Sequence, residues 1–273
     1  MSGNPNLEGQ LLELAQRYNV SESIFFSFRD FRERARVEVG LGLCAGLVRV
    51  WWAELRKGNN AMQSLKAANP SLTRNVLLSQ ARSMYLKRFP LEDADLNASE
   101  RALLTFKYGD VTLSELRSVQ DLFAVRSEFE LDLVLHHGLP IVERRESVDT
   151  RNDLTIPVRT PRPCLYLLLF RYADSTQASG ERGHRSGLVV HADGGCNFYD
   201  PRIGETVFPS IKYFSGWLAE YLDLQGWQSR YQRLKPGLAS MKIYAFGGRL
   251  APPVNEKRIA LERRFWRCAP QLQ

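Results

Sequence analysis

Cysteine and histidine are scarce in this chain, with four of each in 273 residues. The cysteines (Cys44, Cys164, Cys196, Cys268) are far apart, and no CxxC pair exists. That spacing excludes a zinc ribbon, and the few histidines give no metal-ligand pattern, so neither a metal nor another cofactor is expected. A chain of this size builds a core without disulfide staples, so the cysteines read as free thiols in a reducing compartment. No run approaches the roughly 18 apolar residues of a membrane span. The opening Met1-Ser2-Gly3-Asn4-Pro5-Asn6-Leu7 has neither a basic nor an apolar signal region, so export is expected to use a route without a cleaved signal. Internal repeats and low-complexity segments are also lacking.

What is present is an ordinary globular composition, 44% hydrophobic and 25% charged, enough for one sizeable core or two modest ones. The net charge of +7 is spread along the chain. Its densest group, Lys257, Arg258, Arg263, Arg264 and Arg267, is diluted by Glu256 and Glu262. This reads as a basic surface rather than a nucleic-acid site.

Periodicity places helices first. Leu7 to Tyr18 is amphipathic, with Leu7, Leu11, Leu14 and Ala15 on one side. An aromatic, charged stretch from Ile24 to Arg32 is expected to dock on the body. Leu43 to Leu55 is a strongly apolar helix closed by Gly58-Asn59-Asn60. Ser71 to Lys87 and Asp121 to Leu135 follow, with a capping-box spacing at Asn97 and Glu100, and helix gives way at His137-Gly138-Leu139-Pro140. Strand signals come later: Cys164 to Tyr172 as a buried run, Arg185 to His191, a turn at Ala192-Asp193-Gly194-Gly195, Cys196 to Tyr199, an extended piece to Phe208, and Met241 to Phe246. Asp174 to Gly183 reads as a loop and Phe214 to Leu224 as a helix. Helices followed by strands predict an α+β fold.

Three polar residues stand in apolar surroundings: Cys44, His184 and Asp200. A thiol becomes a good nucleophile as thiolate, which a helix N-terminus and an imidazolium both favour. Cys44 is placed at such a terminus, with Gly42 and Gly46 around it as signs of a close backbone approach. Backbone N–H groups there suit an oxyanion hole. The competing reading of Cys44 is a small buried hydrophobe. Asp200 is suited to orient a histidine, but two histidines compete: His184, and His191 on the same strand nearer the turn. A turn near Gly194 sets Asp200 opposite Gly187 to Val189, so pairing with His184 calls for a bulge or extra twist. Spacing alone does not choose between them. Cys196 is the alternative nucleophile, without helix support, and Cys164 and Cys268 are read as structural. His136 and His137 are read as favourable cations at a helix end.

At these residues the chain resembles the YopT-like family of cysteine proteases, papain-fold effectors that bacteria inject into host cells. Gly42-Leu43-Cys44-Ala45-Gly46-Leu47 with Trp51-Trp52 is similar to that family's nucleophile helix. Asn197-Phe198-Tyr199-Asp200-Pro201-Arg202-Ile203-Gly204-Glu205 resembles its aromatic-aromatic-Asp-Pro-Asn-x-Gly-Glu stretch, the most specific match. The His184-to-Asp200 spacing fits as well, and it selects His184 over His191. The chain departs from the pattern at Arg185 and Ser186, where small apolar residues are usual. It departs again at Glu38 and Val39, where no Asn or Gln side chain precedes the cysteine.

The resemblance implies a papain-like arrangement. A helical N-terminal subdomain would carry the nucleophile and pack against a C-terminal antiparallel sheet. An N-terminal helical or targeting segment (1–35) would precede a protease domain (36–273), helical over 36–150 and sheet over 151–273. It implies Cys44 as nucleophile, His184 as general acid and base, and Asp200 as orienting carboxylate. The implied setting is delivery into a target cell, protein substrates such as host GTPases or kinases, and a secretion chaperone as partner. Two other readings stand beside it: a papain-fold cell-wall amidase or acyl-transfer toxin, and a catalytically inactive adaptor.

Overall fold

The computed structural model describes residues 7–37, 43–84, 126, 128–137, 139–147, 164–173, 181–225 and 241–247. The described helices are α1 (Leu7–Arg17), α2 (Phe28–Ala35), α3 (Cys44–Arg56), α4 (Ala61–Ala67), α5 (Pro70–Met84), α6 (Glu128–His137) and α7 (Phe214–Leu224). The strands are β1 (Glu22–Phe25), β2 (Ile141–Ser147), β3 (Cys164–Ala173), β4 (Glu181–Val190), β5 (Cys196–Asp200), β6 (Gly204–Phe208) and β7 (Met241–Phe246). They form one antiparallel sheet in the order β1-β6-β5-β4-β3-β7-β2.

Both faces of the sheet are covered, which explains the unbroken apolar run of β3. Leu165 and Leu167 point into a core shared with α2 to α6, around Trp51, Trp52, Leu65 and Val76. Tyr166, Leu168 and Phe170 point into a second core with α1 and α7, around Leu14, Trp217 and Tyr221. The fold is therefore α+β, as expected. The split into early helices and late strands is less clean than expected. β1 comes from the aromatic front stretch and closes one edge of the sheet against β6. β2 closes the other edge, and lies within the stretch read as helical. β4 begins at Glu181, inside the expected loop.

Two glycines let α3 sink into this frame. A Cβ on Gly187 would lie 2.9 Å from Trp51 Cζ3 and 3.0 Å from Val48 Cγ1, so its absence lets α3 rest directly on β4. A Cβ on Gly46 would lie 2.1 Å from the Val76 carbonyl oxygen, so α3 and α5 meet backbone to backbone. The close approach that Gly46 signals is thus to α5. Seven residues of α3 are buried, from Ala45 to Trp52. Removing a buried tryptophan such as Trp51 typically costs about 3–5 kcal/mol.

The front of the chain reaches the same region. Ser27 caps α2 through a capping box with Asp30, and Phe31 is fully buried. Gly204 has φ of +133°, and a Cβ there would lie 1.9 Å from the Ile24 carbonyl oxygen. Only glycine lets β1 pair so closely at the start of β6. The Asn97–Glu100 capping signal, residues 121–125 of the expected helix, Cys268 and the basic cluster at 257–267 lie outside the described residues. So do Glu38, Val39 and Gly40 to Gly42.

Candidate active site

Asp200 is the last residue of β5 and is 1% exposed. Pro201 stops the strand, and the carboxylate turns back on its own loop. Its Oδ1 accepts the Arg202 amide at 2.8 Å, while the Ile203 amide donates to the Asp200 carbonyl at 3.0 Å. The same Oδ1 accepts from His184 Nε2 at 2.8 Å. On the other oxygen, Tyr221 Oη donates at 2.7 Å and Ser186 Oγ at 3.1 Å. Burial alone raises this carboxyl, but the imidazolium and these donors outweigh it and hold the pKa at about 2.

No bulge brings the histidine to the aspartate. The β4–β5 register runs regularly from Val190 opposite Cys196 to Gly187 opposite Tyr199. One step further sets Ser186 against Asp200, and His184 is then the diagonal neighbour on the same face. Diagonal cross-strand positions lie within reach of long side chains. Ser186 fills the directly opposed position, bonding the carboxylate and lying 3.4 Å from His184 Nε2.

His184 is 5% exposed and stacks on Phe170, its partner on β3, with ring centroids 6.3 Å apart. Burial pushes its pKa down. The charge and hydrogen bond of Asp200, with a further hydrogen bond to Cys44, more than reverse this and bring it to about 9. The ring is an imidazolium at neutral pH.

Cys44 is the first residue of α3 and is half-buried. Burial is the largest influence on its thiol and raises the pKa. The hydrogen bond and charge of His184, the charge of Arg185 and the Arg185 backbone N–H together prevail, and the net shift is downward. That amide is available because β5 pairs with β4 only from Gly187 onward. Cysteine, histidine and aspartate therefore meet in one chain of hydrogen bonds.

The rival residues are placed elsewhere. His191 Nε2 lies 2.7 Å from Asn197 Oδ1, and Asn197 Nδ2 donates to Glu205 at 3.0 Å. Cys196 is fully buried, and burial pushes its thiol up to about 12, which fits a structural role. His137 is not the helix-end cation its position suggested. It is 3% exposed, and burial together with Arg49, Arg185 and Arg56 depresses its pKa to about 3, so it is neutral. Among the described residues, no cluster of His, Cys, Asp and Glu could hold a metal ion, and no helix is long and apolar enough to cross a membrane.

Three contributors escaped the sequence reading. Tyr221 reaches Asp200 from α7, with no local signal beyond being an aromatic on a buried helix face. Gln80 accepts the amides of Ala45 and Gly46 through Oε1, at 3.0 and 3.2 Å, and caps α3 from α5. Leu43, at the N-cap position, makes no side-chain cap bond, which was the one available hint. Glu205 accepts the Trp51 indole N–H at 2.8 Å and pins the middle of α3 to β6.

No protein-family model and no curated protein matches this chain. Among solved structures it is similar to the crystal structure of the Pseudomonas avirulence protein AvrPphB, at 14% identity and a TM-score of 0.45, covering 81% of this chain and 95% of that one.

Proposed function

We propose that this protein is a papain-like cysteine protease with Cys44 as nucleophile, His184 as general acid and base, and Asp200 as the orienting carboxylate. The observation that carries the reading is the hydrogen-bonded Cys44–His184–Asp200 chain at the start of α3, with thiol and imidazole shifted toward the thiolate–imidazolium pair. Structural cysteines are not normally matched to an imidazolium in this way.

The geometry supports the following steps. Asp200 occupies Nε2, so the proton shared with sulfur is carried on Nδ1. The thiolate attacks a peptide carbonyl carbon, and the carbonyl oxygen takes up the electron pair. Gln80 occupies the Ala45 and Gly46 amides, which leaves the Cys44 amide as the first-turn donor for that oxyanion. His184 gives its proton to the leaving amine as the C–N bond breaks, forming a thioester. It then takes a proton from the water that attacks the thioester, and the C–S bond breaks to release the carboxylic acid product and restore the thiolate–imidazolium pair. Resemblance to the YopT-like family supports a bacterial effector acting on a protein in another cell, with host GTPases or kinases as the substrate class and a secretion chaperone as partner.

The test is pH-dependent alkylation with iodoacetamide, read by mass at Cys44. The thiolate is expected to form below the ordinary cysteine pKa of about 8.5. Cys44→Ala is expected to abolish both labelling at this position and cleavage of a protein substrate. An ordinary titration, or equal potency of Cys44→Ala and wild type, would reject the protease.

A further inference from the structure

One face of α5 touches both halves of the reactive pair. Gln80 Oε1 accepts the two amides that directly follow Cys44. Ser83, one helical turn on, has its Oγ 2.5 Å from Nη1 of Arg185, the residue directly after His184. Between them α5 also holds the nucleophile helix sideways: Arg49 Nη1 donates to Ser79 Oγ at 2.8 Å, and Gly46 admits the Val76 carbonyl. Residues three and four apart on a helix share a face and keep a fixed spacing. That spacing is thus imposed on one segment from the helical part and one from the sheet.

We propose that the Gln80–Ser83 turn of α5 is a positioning strut that sets the gap between the Cys44 sulfur and the His184 ring. Neither side chain is a catalytic residue, since each acts through a neighbour of the reacting group. The strut supplies what local sequence does not. The N-cap position of α3 makes no side-chain cap bond. His184 lies beyond the last β4–β5 pair, so the backbone of its strand is paired there on the β3 side only. Without the turn, the sulfur–imidazole hydrogen bond loses its fixed length, and the thiolate loses support while the fold stays.

This inference rests on the protease reading, and alkylation of the full chain separates the two. In Ser83→Ala and in Gln80→Leu, the midpoint for Cys44 labelling is expected to rise by about one pH unit, a tenfold change in the ionisation constant. Ser83→Thr retains the hydroxyl acceptor and is expected to restore the wild-type profile. Thermal melting checks each fold, and if Gln80→Leu does not fold, the contrast of Ser83→Ala with Ser83→Thr decides. A low wild-type midpoint left in place by the variants overturns the strut and leaves the protease reading standing. An ordinary midpoint in the wild type overturns both.

Discussion

Asp200 and Glu205 lie five residues apart, at the two ends of one turn, and both are nearly inaccessible to solvent. Their acidities move in opposite directions. Asp200 is held down at about 2 by an imidazolium, two hydroxyls and a backbone amide. Among the described residues Glu205 accepts from neutral donors, the Trp51 indole and the Asn197 amide, and its pKa is raised, first by burial and then by the charge of Glu22. Similar burial therefore accompanies a lowered pKa in one place and a raised one in the other. A fixed cation makes the difference. It sorts the two carboxylates into one that pairs with the His184 imidazolium and one that anchors α3 through Trp51.

The comparison breaks most severely at Asp200. Asp200→Ala leaves His184 buried without its counter-ion. Loss of one partner of a buried pair typically costs about 3–5 kcal/mol, read here by denaturant unfolding. Cleavage is expected to fall by about two to four orders of magnitude, the usual contribution of a positioned acid–base group.

The pH dependence sharpens it next. Cleavage should rise as the Cys44 thiol ionises and fall as His184 loses the proton it gives to the leaving amine near pH 9, giving a bell-shaped profile. Stability follows from the same shifts. The His184 pKa is raised from 6.5, so its contribution is complete below about pH 6.5 and lost as pH rises through about 9. Asp200 is depressed from 3.8, so its contribution is complete above about pH 4 and lost as pH falls through about 2. Unfolding measured from pH 2 to 10 checks both limbs.

A smaller change is expected at Tyr221. Tyr221→Phe removes one hydroxyl from the carboxylate and should destabilise by about 1.5–3 kcal/mol, the worth of a hydrogen bond to a charged group. The acid limb should move to higher pH, because Asp200 loses a donor that favours its anion. The smallest effect belongs to Glu205→Gln, which keeps an acceptor for Trp51. A raised carboxyl stabilises fully below its unfolded value and loses that contribution as pH rises through its folded one. The glutamine variant should remove this decline, so that its stability relative to wild type improves from acid to neutral pH. An unchanged pH dependence would show that Glu205 has the same acidity folded and unfolded.

Much of this arrangement was legible in the chain itself. The apolar run from Leu43 predicted α3 to within a residue of its start. The glycines at 194 and 195 marked the hairpin, and β3 and β7 were readable as buried runs. The edge strands were not. β2 carries Glu143, Arg144, Arg145 and Glu146, which an edge tolerates because one side needs no partner, and β1 is four residues without alternation. The diagonal reach of His184 was missed because hairpin counting considers only residues directly opposed. Gln80 and Tyr221 were invisible for another reason. Their partners lie 34 and 21 residues away, and such contacts leave no local pattern. Cys44 stood out because it heads a helix, whereas His184 and His191 were separated in the sequence only by the family resemblance, and in the structure by their partners, Asp200 for His184 and Asn197 for His191.

The loop after Asp200 is tied down from the front of the chain. The Phe26 amide donates to the Ile203 carbonyl at 2.8 Å and the Phe28 amide to the Pro201 carbonyl at 2.5 Å. Residues 26–28, within the stretch that the sequence set apart as a leading segment, are thereby built into the mounting of the carboxylate. A truncation or proteolytic nick ahead of Phe28 would slacken the bracket that aims the aspartate, coupling integrity of the leading segment to the geometry around His184.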